Sequence, residues 1–144
     1  MIKTTYEEEL DRKGAFTYTC SGVSMLPMLR QRKDLFTIRK KQGRCKKYDV
    51  VLYKRQSGAY VLHRVVKVCE KDYVILGDNC LNKECGIKDE DIIGIMTSFV
   101  RDGKEYSASH KGYRIYASVW YFLYPLRRVW MKCKIKCRAV LQKG

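Results

Sequence analysis

From Phe16 to Val100 the chain alternates apolar and polar residues in short runs, at the period of two expected of half-buried strands. The runs Phe16 to Cys20, Leu35 to Arg39, Val50 to Lys54, Tyr60 to Val68, Tyr73 to Leu76 and Ile92 to Val100 predict six strands. Ser57-Gly58 and Asp102-Gly103 are turn pairs of the kind that close hairpins, and Glu70 to Asp72 marks a third reversal. Before the strands, Tyr6 to Arg12 predicts a short acidic helix. After them the period lengthens. Ile115 to Leu126 holds no charge and five aromatic residues, and Leu126, Val129, Trp130, Cys133, Cys137, Val140 and Leu141 then recur at helical spacing. The expected organisation is a polar segment over 1–15, a mainly β domain over 16–106, and an aromatic, basic helical tail over 107–144.

A chain of 144 residues with 46% hydrophobic and 31% charged residues is sized for one folded unit, and its composition excludes collagen-like, low-complexity and disordered classes. The net charge of +15 is unevenly placed. No acidic residue follows Glu105, whereas nine Lys or Arg do, so one end is built for an anionic surface. As a helix, Ile115 to Leu126 would reach about 18 Å, too short for a hydrocarbon core of roughly 30 Å. The tail therefore fits interfacial helices on an anionic membrane surface, with Trp120, Tyr121, Arg127, Arg128, Trp130, Lys132, Lys134 and Lys136 as contact residues. Core packing is the alternative. No specific nucleic-acid partner is expected, and nothing specifies an oligomeric state.

Seven cysteines without a CxxC pair, and two histidines (His63 and His110), match no zinc-finger or ribbon spacing, so neither a metal nor another cofactor is expected. The chemistry-bearing stretches lie elsewhere. Ser21-Gly22-Val23-Ser24-Met25-Leu26-Pro27 follows a strand and bends at Gly22, presenting Ser24 as a nucleophile if a base lies in reach. His63, in the apolar run Val61 to Val66, suits that base, because an apolar strand favours the neutral ring. Gly77-Asp78-Asn79 and Glu84 offer carboxylates to orient His63.

Together these blocks resemble the peptidase domain of type I signal peptidases and of the related self-cleaving SOS repressors. SGVSMLP resembles their serine box, YDVVLYK the strand after it, and LGDN with DIIGIM their closing boxes. His63-Arg64-Val65-Val66 stands where many members carry a lysine base, which is similar to the endoplasmic-reticulum and sporulation-type branch with its Ser-His-Asp arrangement. The resemblance covers roughly 16–100 and implies a coiled antiparallel sheet barrel and no cofactor. It implies a serine endopeptidase that cleaves leader or signal-like peptides after small residues. Ser24 is then the nucleophile, His63 the base, and Glu84 the orienting acid, with Asp78 as a second essential carboxylate or the alternative third member.

The family often has a serine two residues before the nucleophile, where this chain has Gly22. An oxyanion hole would lean on the Ser24 N–H, with Ser21 as a side-chain contributor. Met25 and Pro27 are expected at the substrate-pocket wall. The family's amino-terminal membrane anchor has no counterpart in the polar residues 1–15. Positive charge around the short apolar segment, free thiols and no export signal point to a cytoplasmic placement, peripheral at the membrane. Two other readings stand beside the endopeptidase: a noncatalytic β-fold module that docks on membrane or nucleic acid through its tail, and a peptidase that cuts only itself.

Overall fold

Thr5 starts the first helix by a reciprocal cap: its hydroxyl accepts from the Glu8 N–H, and the Glu8 carboxylate accepts from the Thr5 N–H at 2.9 Å. The helix, α1 (Tyr6–Lys13), ends at Gly14, whose φ of 73° a side chain would resist. The computed structural model describes residues 4–143 of the chain, so the first three positions of the polar segment and Gly144 lie outside it. Leu10 fastens α1 to the core.

Eight strands follow: β1 (Ala15–Thr19), β2 (Leu35–Lys40), β3 (Val50–Lys54), β4 (Tyr60–Val68), β5 (Asp72–Leu76), β6 (Glu84–Lys88), β7 (Ile92–Arg101) and β8 (Lys104–Ser107). They form one antiparallel sheet in the order β1-β2-β7-β3-β4-β5-β6, with β8 paired to β7. All six expected strands are present within a residue or two of their expected ends. β6 and β8 are additions. Each holds too few apolar residues to show a period, and each forms by pairing with an expected strand, β6 with β5 and β8 with β7.

The sheet does not close into the barrel expected above. Closure requires a register between the two terminal strands, whereas among the described residues β1 pairs only with β2 and β6 only with β5. Register shifts between β2 and β7, β3 and β7, β4 and β5, and β5 and β6 instead let an open sheet bend on itself.

β3 lies deepest. Val50 and Leu52 enter one hydrophobic cluster with Met25, Leu29, Ile38 and Met96, while Val51 and Tyr53 enter another with Val65, Tyr73 and Ile75. Strand alternation explains the division: successive side chains leave opposite faces, and here both faces are covered.

Two helices end the chain, α2 (Lys111–Phe122) and α3 (Tyr124–Leu141), joined at Leu123. The inner face of α2 is part of the body: Tyr113 and Ala117 are buried, and Tyr113 packs in the first cluster. Among the described residues no helix is long and apolar enough to cross a membrane.

Candidate active site

Alternation on β4 places two neighbouring residues in different surroundings. His63 is 5% exposed and shares the β3 face that carries Tyr53, because it pairs with Val51, two residues away. Arg64, 1% exposed, leaves by the opposite face.

Around His63 the two ring nitrogens meet different partners. Nδ1 lies 3.6 Å from Glu84 Oε1 and 3.3 Å from the Tyr53 hydroxyl. Nε2 lies 3.8 Å from the Cys80 thiol. Glu84 stands at the start of β6, opposite Ile75 of β5, and is gripped by both Nε and a terminal nitrogen of Arg55. Burial pushes the His63 pKa down from 6.5 to about 4, outweighing the Glu84 carboxylate that would raise it. Glu84 moves the other way: burial alone would raise it, but hydrogen bonds from Arg55 and Tyr53 and the nearby Arg55 charge hold it below its ordinary value. At neutral pH the pair is therefore a neutral imidazole beside a carboxylate. With its proton on Nδ1, facing that carboxylate, the ring offers Nε2 as a proton acceptor.

The bend that carries Ser24 is anchored from several sides. Met25, Met28 and Leu29 are buried beneath it. Asp34, fully buried, accepts from the Arg30 N–H at 2.8 Å and from the Arg30 guanidinium, and Arg101 donates to the Pro27 carbonyl. The Asn79 N–H donates to the Ser24 carbonyl at 2.8 Å, and its side chain donates to the Val23 carbonyl. Internal turn bonds run from the Leu26 N–H to Val23 and from the Leu29 N–H to Met25, so the Ser24 N–H is not spent within the bend.

Gly77 is where the bend and the base come together. A Cβ at this position would lie 2.9 Å from His63 Nε2, 2.9 Å from the Ser24 carbonyl oxygen and 2.5 Å from Cys80 Sγ. Only glycine permits that approach. Ser24 and His63 line one groove of about 400 Å³ with Ser21, Gly22, Cys20 and Cys80, walled on the apolar side by Phe16, Phe36, Leu52 and Leu62. Within the described residues the Ser24 hydroxyl has no hydrogen-bond partner, and the contact at His63 Nε2 belongs to Cys80. Burial raises the Cys80 pKa, so the thiol is neutral beside a neutral ring.

Three groups of expected site residues lie elsewhere. Asp78 does not face His63: its carboxylate forks the Arg64 guanidinium with two 2.7 Å bonds, both side chains buried. Arg64 also donates to the Tyr113 hydroxyl and the Tyr48 carbonyl, tying β4, the 77–83 loop and α2 together. The reason is alternation, which sends Arg64 to the face where Asp78 needs a counter-ion. Met25 and Pro27 do not line the groove. Met25 is core, packed by the same apolar drive that seats the bend, and Pro27 borders a different cavity with Phe99 and Tyr106. Trp120, Tyr121 and Arg127 face the body instead of solvent. The Trp120 ring N–H and Arg127 both donate to the Asp78 carbonyl, at 2.9 and 2.8 Å, and the Tyr121 hydroxyl accepts from Lys83. These polar ends satisfy a loop carbonyl that would otherwise be shut in unpaired.

Residues that sequence reasoning missed are Tyr53, Arg55 and Cys80. Tyr53 lies within the YDVVLYK stretch on β3 and Arg55 directly follows it, but their link to Glu84 depends on β6, which has no periodic signal. Among the described residues no group of three or more His, Cys, Asp or Glu is disposed to hold a metal ion. No known protein-family model matches the chain, and no curated protein matches it significantly.

Proposed function

We propose that the chain is a serine endopeptidase of the signal-peptidase type, cutting leader or signal-like peptides after small residues. The observation that supports it most is Gly77: it seats His63 Nε2 and the Ser24 main chain against one point, while the other nitrogen of the ring faces Glu84.

In the acylation step the Ser24 hydroxyl turns to His63 Nε2, displacing the Cys80 contact. Oγ bonds to the peptide carbonyl carbon as its proton passes to Nε2, and the tetrahedral oxyanion is met by the Ser24 N–H, with Ser21 at hand across the groove. The C–N bond breaks and Nε2 returns the proton to the leaving amine. Water, deprotonated by the same nitrogen, then releases the acyl group. Glu84 stabilises the imidazolium formed in each half-reaction. General acid–base assistance of this kind is worth about 10² to 10⁴ in rate. The edge of β1 that no other described strand pairs with, whose Phe16 and Thr19 border the groove, suits an extended substrate added as a further strand.

A second reading has one observation in its favour, the 3.8 Å approach of Cys80 Sγ to His63 Nε2, which would make the thiol the attacking atom. The Cys80 pKa, raised by burial, works against it, because the thiolate is the nucleophile.

Turnover of a peptide library bearing Ala-x-Ala sites separates these readings. Loss of cleavage in Ser24→Ala and His63→Ala, with activity kept in Cys80→Ala, is expected. Loss in Cys80→Ala with activity kept in Ser24→Ala would move the nucleophile to sulfur. Equal turnover by wild type, Ser24→Ala and Cys80→Ala would overturn the peptidase reading.

A further inference from the structure

The outer side of the two terminal helices carries the largest apolar residues that the fold leaves in water. Phe122 is 80% exposed, Leu126 71% and Trp130 63%, and Ile115, Val119 and Val129 are at least half exposed. Isolated exposed apolar residues need no explanation, but a run of them along one helix marks an interaction surface.

Their arrangement on α3 is regular. At 3.6 residues per turn, Leu126, Val129, Trp130, Cys133, Val140 and Leu141 fall within an arc of roughly 120°. Lys132 and Lys136 border one side of that arc, and Lys134 and Arg138 the other. Half-buried Met131 lies outside it, near Asn79 and Leu81, and Trp130 at the edge of the arc borders the same cleft; Ile135 also lies outside the arc and is 59% exposed. The α2 residues Ile115, Val119 and Phe122 likewise lie opposite Tyr113 and Ala117, which are buried. The inward partners are fully engaged: Tyr124 donates to the Leu81 carbonyl at 2.6 Å, and Trp120 and Arg127 hold the Asp78 carbonyl. The exposed stripe is thus not a core face awaiting the rest of this sheet.

We infer that the outer face of α2 and α3 docks on an anionic phospholipid bilayer, lying in the interface with the apolar arc toward the acyl chains and the flanking lysines at headgroup level. Charge complementarity selects this occupant. An apolar strip with cations on both borders and no carboxylate on either helix matches a surface that is apolar inside and anionic outside. Nucleic acid would take the lysines but leave Phe122, Leu126 and Trp130 in water. A second copy would cover the strip but set lysine borders against lysine borders. Spanning is excluded by the same charges, and α3 at 18 residues is long enough to lie flat.

The test is flotation of the full chain with phosphatidylcholine vesicles, with and without phosphatidylglycerol, together with tryptophan emission. Expected are flotation only with the anionic vesicles, a blue shift that Trp130→Phe removes, and loss of both with Leu126→Ser/Val129→Ser. Lys132→Glu/Lys136→Glu should weaken partitioning by tenfold or more, since each basic residue near the surface contributes about a factor of five. These positions are exposed, so unchanged melting of the variants separates lost docking from lost folding. Equal flotation with neutral vesicles by wild type and the lysine variant would overturn the inference. So would retention on a mixed-sequence oligonucleotide without flotation, or a concentration-dependent dimer that shields Trp130.

Discussion

Burying His63 makes this fold acid-sensitive above the range where Glu84 begins to take up a proton. The His63 pKa is pushed from 6.5 to about 4, burial being the main cause and Glu84 opposing it. In the unfolded chain the ring titrates at its ordinary value. As pH falls from 6.5 toward 4, the unfolded state takes up a proton that the folded state refuses, so stability falls with pH. Above 6.5 both states are neutral and nothing is lost; below 4 both are protonated and the loss is complete. The loss works out to about 2 kcal/mol at pH 5 and about 3 kcal/mol below pH 4. Glu84, whose pKa is lowered, adds its own loss only as pH falls below the unfolded value of 4.5, so the two windows separate. Urea unfolding of the full chain at about pH 7.5 and about pH 5 measures the effect as a shift in midpoint. His63→Gln, which cannot take up the proton, should show a pH dependence smaller by that same amount of roughly 2 kcal/mol. Equal shifts in the two proteins would refute the reasoning. An NMR midpoint for the His63 ring near 6.5 in the folded chain would do the same.

Asp78→Ala leaves Arg64 buried and unpaired, and should cost about 3–5 kcal/mol in urea unfolding. A cost near zero would mean that the pair opens to water. Gly77→Ala pushes a methyl group against His63, Cys80 and the Ser24 carbonyl, and should cost about 1–3 kcal/mol. Adding Cys80→Ala relieves one of the three contacts, so stability should recover only in part. Arg55→Ala removes the clamp on Glu84 from an exposed position: unfolding should move by no more than about 0.5 kcal/mol, while peptide turnover drops severalfold. Unchanged turnover would show that Glu84 needs no clamp.

Much of the scaffold was legible because it is local. The strands over 16–100 betray themselves by a two-residue period, α1 by its acidic run Tyr6 to Arg12, and the tail helices by the spacing of their apolar residues. β6 escaped because Glu84 to Lys88 has no apolar rhythm: it is a strand only because β5 supplies hydrogen-bond partners. Barrel closure escapes the sequence for a related reason, since no feature of β1 or β6 taken alone says whether the two will pair.

At the site, residue chemistry could single out Ser24, His63 and two nearby carboxylates, but which acid serves which base is a question of faces. Strand alternation sends His63 and Arg64 opposite ways, and the fold then delivers Glu84 to the first and Asp78 to the second. What the chain alone determined was its periodicities, its one-sided positive charge and the chemical kinds present. Tertiary structure decided the pairings, because a contact between residues far apart in sequence depends on which faces the folded chain buries together, and no local pattern carries that information.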